Sequence, residues 1–301
     1  MKIPLKYRFN VIGGGLIIFV LIRMLLPQVY HSMYPAGNMV VQLLVYSVTL
    51  VLSCLAPIAF IENMCHFHPV LFSGRKLQPV HGIYAAFGML FFTVLSIVNS
   101  ILLIGLEKLG IVFPPNELNP VNTAAEFVLY FIFAAVIPAV VEELFVRGIV
   151  LNLLLPNGRK FAVLASALVF TVMHTQVQSF IPVFGAGVLL ACIYLHTDNI
   201  FSTMLLHFIN NAYSFIMLYM QQRVNGISSM GFASFVMMFI IVGGISAAMW
   251  LKRNNTDLLR PLLDTGRNSK LSRMVASPVM VLGLFSCLMA VGAQLYADLA
   301  L

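Results

Sequence analysis

Two carboxylates, an arginine, two histidines and an asparagine occur at helical spacings inside otherwise apolar segments. They stand in Glu142-Glu143-Leu144-Phe145-Val146-Arg147, in Phe170-Thr171-Val172-Met173-His174 and in His207-Phe208-Ile209-Asn210-Asn211. Successive helix residues point about 100° apart, so the two glutamates face different ways. Glu143 and Arg147 are four apart with the acid first, the better orientation for an ion pair. That pairing leaves Glu142 as the freer carboxylate, suited to act as a general base. His207 and Asn211 share a face, and both side chains can donate hydrogen bonds to a developing oxyanion. Phe170 and His174 share another face. Each group has a plainer reading on its own: a Glu–Arg pair that joins helices, a core histidine, hydrogen bonds between helices. Together they form a set that can activate water against a carbonyl.

The elements that carry these residues must bring them to one depth. Glu142 and His174 lie equally far, sixteen residues, before and after Gly158 in the turn Pro156-Asn157-Gly158. In an antiparallel helical hairpin they meet. Asn211 is thirteen residues past the turn near Asp198, roughly 20 Å along a helix, against roughly 24 Å for Glu142 from its own turn.

The composition says what surrounds these helices. The chain has 301 residues, 60% of them hydrophobic and 9% charged, where a soluble domain carries roughly 25% charged residues. Its mean hydropathy is +0.97. Such a chain cannot cover itself with a polar surface, and the lipid bilayer is the solvent that removes the need. The net charge of +7 does not point to nucleic acid, because the basic residues lie in short runs between apolar segments. Cys54, Cys65, Cys192 and Cys287 are scattered and form no disulfide framework. Cys65-His66-Phe67-His68 reads as a juxtamembrane loop rather than a metal site.

A spanning helix needs about 20 apolar residues. Nine candidate spans follow: 11–27, 38–61, 81–106, 123–155 (with Pro138 as a possible kink), 160–176, 179–196, 199–221, 230–251 and 274–297. Eight spans result if one segment is re-entrant. The basic start followed by an apolar run superficially resembles a signal peptide, but Arg23 interrupts it and no small-residue cleavage site follows, so a retained first span is expected. With the N-terminus in the cytoplasm, Lys2, Lys6, Arg8, Arg75, Lys76, Arg159, Lys160, Lys252, Arg253, Arg260, Arg267, Lys270 and Arg273 fall inside. Lys108 and Arg223 fall outside, and Arg23 and Arg147 remain within spans. This is the bias of the positive-inside rule. The expected fold is an all-α polytopic bundle, a single membrane domain over 1–301 with a surface helix or linker at 252–273.

The three motifs resemble those of the CAAX protease and bacteriocin-processing family, where they read EExxxR, FxxxH and HxxxN/D. The segment Tyr194-Leu195-His196-Thr197-Asp198-Asn199 is also similar to the family's short turn. The resemblance covers about residues 123–215. It implies a glutamate-type intramembrane endopeptidase, similar to type II CAAX prenyl endopeptidases. Carried over by position, Glu142 and His174 activate the water, His207 and Asn211 form the oxyanion hole, and Glu143 and Arg147 support the site beside Phe170. No cofactor and no metal are expected. A zinc site from Glu143, His174 and His207 is conceivable, but an arginine beside the acid opposes a cation, and no HExxH is present. The expected partners are a membrane-bound protein or peptide substrate and the bilayer, in the cell membrane. Two other readings stand beside this one: a non-catalytic peptide-binding or immunity protein, and a transporter, which would more often show paired repeats.

Overall fold

In the computed structural model, residues 4–34, 38–66, 76–113, 121–174, 176–224, 226–263, 274 and 276–299 are described. Lys2, Phe67, His68, Arg75, Arg267, Lys270 and Arg273, named in the charge and loop readings, lie outside them. The described residues form helices and no strand. In chain order these are α1 (Leu5–Met33), α2 (Met39–Cys65), α3 (Pro79–Lys108), α4 (Ala124–Asn157), α5 (Arg159–Met173), α6 (Phe180–Thr197), α7 (Ile200–Arg223), α8 (Gly226–Arg253) and α9 (Pro278–Leu299).

Six of them, α1, α2, α3, α4, α6 and α8, are long and apolar enough to cross a membrane by length and composition. Among the described residues the expected count of eight or nine is therefore not confirmed. α5 has 15 residues and is short for a span. α7 has 24 residues, but His207, Asn210, Asn211 and two glutamines dilute its apolar character. The apolar part of α9 that is described runs over Pro278–Ala293.

α4 is one rod with two wide turns in it. Residues Ile132–Val136 and Leu144–Leu151 are π-helical, with α-helix between and around them. Proline has no N–H to donate, and Pro138 stands just past the first wide turn, where the local hydrogen-bond pattern has already shifted. The second wide turn contains Arg147. The helix begins at Thr123, whose side chain accepts from Glu126 N while the Glu126 carboxylate accepts from Thr123 N, a reciprocal cap.

Two buried apolar clusters hold the bundle. The larger joins α1, α2, α4, α5 and α9, with Phe9 edge-on to Phe161 and Phe19 stacked on Phe145. The smaller joins α3, α6, α7 and α8 around Tyr84, Phe92, Leu189 and Leu206. Outward faces stay apolar, as with Phe235, Phe239 and Met249 on α8 and Leu282, Phe285 and Met289 on α9. Apolar surface of this extent suits hydrocarbon rather than water.

α1 and α9 approach backbone to backbone. A Cβ on Gly13 would lie 2.3 Å from Val279 O, and one on Gly283 would lie 2.4 Å from Gly13 O. Replacing Gly13 by Leu is expected to force the helices apart and destabilise by about 3 kcal/mol or more, at or above the upper end for overpacked sites. The same change at Gly292, where nothing lies within 4 Å, is expected to be neutral. Thermal melts in detergent test the contrast, and equal melts for the two variants would contradict the close approach.

Candidate active site

The site is built from α4, α5 and α7, with α6 behind it. Glu143 and Arg147 sit one turn apart on α4, and both side chains are 0% exposed. Arg147 Nη1 donates to Glu143 Oε1 at 2.7 Å, and Arg147 Nη2 donates to the Gly187 carbonyl of α6 at 3.1 Å. The guanidinium also lies over the Phe170 ring, 4.5 Å from its centre. A charge with no water near it needs such partners, and here they come from three helices. Gly187 must be small as well, since a Cβ there would stand 3.0 Å from Ala167 Cα.

Glu143 Oε1 has a second partner. His207 Nδ1 on α7 lies 2.9 Å away. A carboxylate ion-paired to arginine can only accept, so Nδ1 carries the proton and Nε2 is turned elsewhere. His174, at the end of α5, is fixed in the same way: its Nδ1 lies 2.7 Å from the Phe170 carbonyl. That carbonyl also only accepts, so His174 Nε2 presents a lone pair. Phe170 packs edge-on against both imidazoles, with ring centres at 4.5 Å from His174 and 5.6 Å from His207.

Both Nε2 atoms face Glu142. His174 Nε2 is 3.7 Å from Glu142 Oε2, and His207 Nε2 is 3.9 Å from it. These gaps are too long for direct hydrogen bonds and suit a bridging water. Glu142 Oε2 is buried and has no hydrogen-bond partner. The side chains of Glu142 and His174 are 13% and 27% exposed, so this edge of the cluster, unlike Glu143 and Arg147, is open.

Beside the imidazoles lies a cavity of about 280 Å³, lined by Phe170, His174, His207, Asn210 and Asn211 among others. Asn210 Nδ2 donates to Asn211 Oδ1 at 3.4 Å. That contact engages the oxygen of Asn211 and leaves its amide N–H groups for a ligand. Glu143 is thus in direct contact with His207, Glu142 lies within one-water reach of His174 and His207, and Asn211 shares the cavity of the two imidazoles. Among the described residues no group of three or more His, Cys, Asp or Glu is placed to hold a metal. Glu143, weighed in the sequence as a zinc ligand, has Arg147 on its oxygen instead.

The Gly187 carbonyl left no mark in the sequence. A backbone acceptor has no residue type, and the small residue that allows the approach is one glycine among twenty. The stacking of Arg147 on Phe170 was legible only as two separate residues.

Residues 124–213 match the family described as Type II CAAX prenyl endopeptidase Rce1-like. This segment contains Glu142, Glu143, Arg147, Phe170, His174, His207 and Asn211, and the match agrees with the sequence resemblance. No curated protein and no solved structure matches the chain. The matched family and the apolar helices suggest a multi-pass membrane protein and a protease of the CAAX type.

Proposed function

We propose that the protein hydrolyses a peptide bond in a membrane-associated protein or peptide, with Glu142 as general base. The observation that carries this reading is the unpartnered Glu142 Oε2, set 3.7 Å and 3.9 Å from two imidazole nitrogens. A water between Glu142 and His174 donates one hydrogen to each and turns its oxygen lone pair to the cavity. Glu142 takes the proton as the water oxygen bonds to the substrate carbonyl carbon. The carbonyl electron pair moves to oxygen, which receives hydrogen bonds from the Asn211 amide and from His207 Nε2. His207 donates there only with both ring nitrogens protonated, its Nδ1–H held by the Glu143 carboxylate. The intermediate collapses as the C–N bond breaks. Its electron pair leaves on nitrogen, which takes the proton held by Glu142, giving an acid and an amine.

We place the cavity in the cell membrane, with the N-terminus cytoplasmic on the charge bias and the core at 123–215 within a single domain. The test is cleavage by the purified protein in detergent of CAAX-type and membrane peptides, prenylated and plain, with fragments read by mass spectrometry. Discrete cuts are expected. Intact peptides throughout, from protein that melts cooperatively, would reject the activity. Hydrolysis is expected to persist in strong chelators, because Arg147 neutralises the acid a cation would need. Loss that added zinc restores would overturn that mechanism.

A further inference from the structure

The helix ends on one side of the bundle are basic. Arg8 Nη1 of α1 donates to Leu153 O near the end of α4 at 3.2 Å, so the start of α1 and the turn into α5 lie at the same end. Arg159 and Lys160 open α5 there, and Lys252 and Arg253 close α8. After α8 the chain passes through a short 3₁₀ segment, Arg260–Leu262, that packs against α5 and α6. Tyr7 of α1 and Trp250 of α8, the chain's single tryptophan, are exposed at this end. Aromatic side chains with one polar edge gather where hydrocarbon meets headgroups.

Between the start of α5, the end of α6 and the turn after α8 lies a cavity of about 590 Å³. Its wall carries Arg159, His196 and Arg260, with Asp257 as the carboxylate and Leu195 and Leu263 among the apolar residues. Asp257 Oδ1 accepts from Leu259 N at 3.1 Å, which keeps that acid with its own turn. Neither Arg159 nor Arg260 has a hydrogen bond or ion pair with a described residue. α5 begins after Gly158 without a side-chain cap, so its first N–H groups, beside Arg159, add to the positive character of the wall. Leu259 and Leu263, on either side of Arg260, are exposed. A turn that presents leucines and an arginine together suits a boundary that is apolar on one side and anionic on the other.

We propose that this cavity binds the phosphate of an anionic membrane lipid, held by Arg159 and Arg260, with Leu263 against the start of the acyl chains. No step in this depends on the peptidase reading. The guanidinium fork matches two phosphate oxygens, and basic side chains beside the ends of spans are drawn to anionic headgroups. A cavity of this volume accepts a headgroup. A zwitterionic lipid is disfavoured, because its ammonium group would meet two arginines of like charge. The bound lipid ties the turn after α8 to the hairpin of α4 and α5, the hairpin that carries Glu142 and His174.

The experiment gives the purified protein equimolar phosphatidylglycerol and phosphatidylcholine in detergent and counts the lipids it retains by native mass spectrometry. Wild type is expected to retain phosphatidylglycerol over phosphatidylcholine about tenfold or more, the effect of two cations on one anionic headgroup. Arg159→Gln with Arg260→Gln should remove most of that preference. Both side chains are exposed, so the fold is little at risk. Lys252→Gln with Arg253→Gln, the same loss of charge at the same end but outside the cavity wall, should leave the preference in place. Equal retention of the two lipids by wild type overturns the proposal. So does an equal loss in the two double variants, which would assign the preference to the general field of this end. Inorganic phosphate in excess should not displace the lipid; displacement would give the site to a soluble phosphate and overturn the lipid.

Discussion

Glu142→Gln is expected to lower the rate of peptide hydrolysis about 10³-fold or more while leaving the melting behaviour close to wild type. General-base catalysis contributes roughly 10²- to 10⁴-fold, and the upper part of that range applies because Glu143, the other carboxylate beside the two imidazoles among the described residues, is held by Arg147. The substitution preserves volume and one carbonyl oxygen, so a water can still be held between position 142 and His174. It cannot be deprotonated there, since an amide does not take the proton. Stability is little at risk because Glu142 Oε2 makes no hydrogen bond that the fold depends on. Substrate binding should survive, so the loss should fall on kcat rather than KM. A variant that keeps a tenth of the wild-type rate would remove Glu142 from the role of base, and attention would pass to His174.

Glu143→Ala has the largest expected effect on stability, about 3–5 kcal/mol, the usual result of stranding one partner of a buried ion pair. Arg147 is 0% exposed and would keep its charge with only the Gly187 carbonyl and the Phe170 face to answer it. His207 Nδ1 would lose its acceptor at the same time. Activity should vanish along with stability, which makes the single variant ambiguous. The double change Glu143→Leu with Arg147→Leu separates the two effects. An apolar pair of similar bulk is expected to recover most of the stability, and activity should remain lost because His207 is no longer oriented. A double variant that regains hydrolysis would show that Glu143 acts on the fold alone. A Glu143→Ala protein that melts with wild type would contradict the ion pair.

The chemistry-bearing residues were legible in the sequence because polar groups stand out in apolar helices and because spacing of four sets a face. Glu143 with Arg147 and Glu142 opposite His174 follow from counting residues. What counting missed lies where the helix is not regular or where the partner is backbone. The wide turn over Leu144–Leu151 has no composition of its own, and the hold of Gly187 O on Arg147 is a tertiary event. Among the described residues the expected span count is not confirmed, for a related reason. α7 carries His207 and Asn211 of the candidate site, and such polar residues dilute the apolar signature by which a span is recognised. Arg23 was visible as an interruption of the first span, but its height beside Glu142 depends on how Phe19 meets Phe145.

The close approach of Gly13 to α9 has a consequence for how the chain comes into being. α1 emerges early in synthesis and α9 more than 250 residues later. At about 5–20 residues per second the interval is tens of seconds. Throughout it, the backbone groove at Gly13 faces lipid or a chaperone instead of Val279 and Gly283. The cavity of about 540 Å³ beside Arg23 of α1 also lacks a wall until then, because Ala290 and Ala293 of α9 line it. The contacts that join α4, α5 and α7 around Glu142, His174 and His207 use no residue of α9. The cluster can therefore assemble before α9 closes the wall of that cavity.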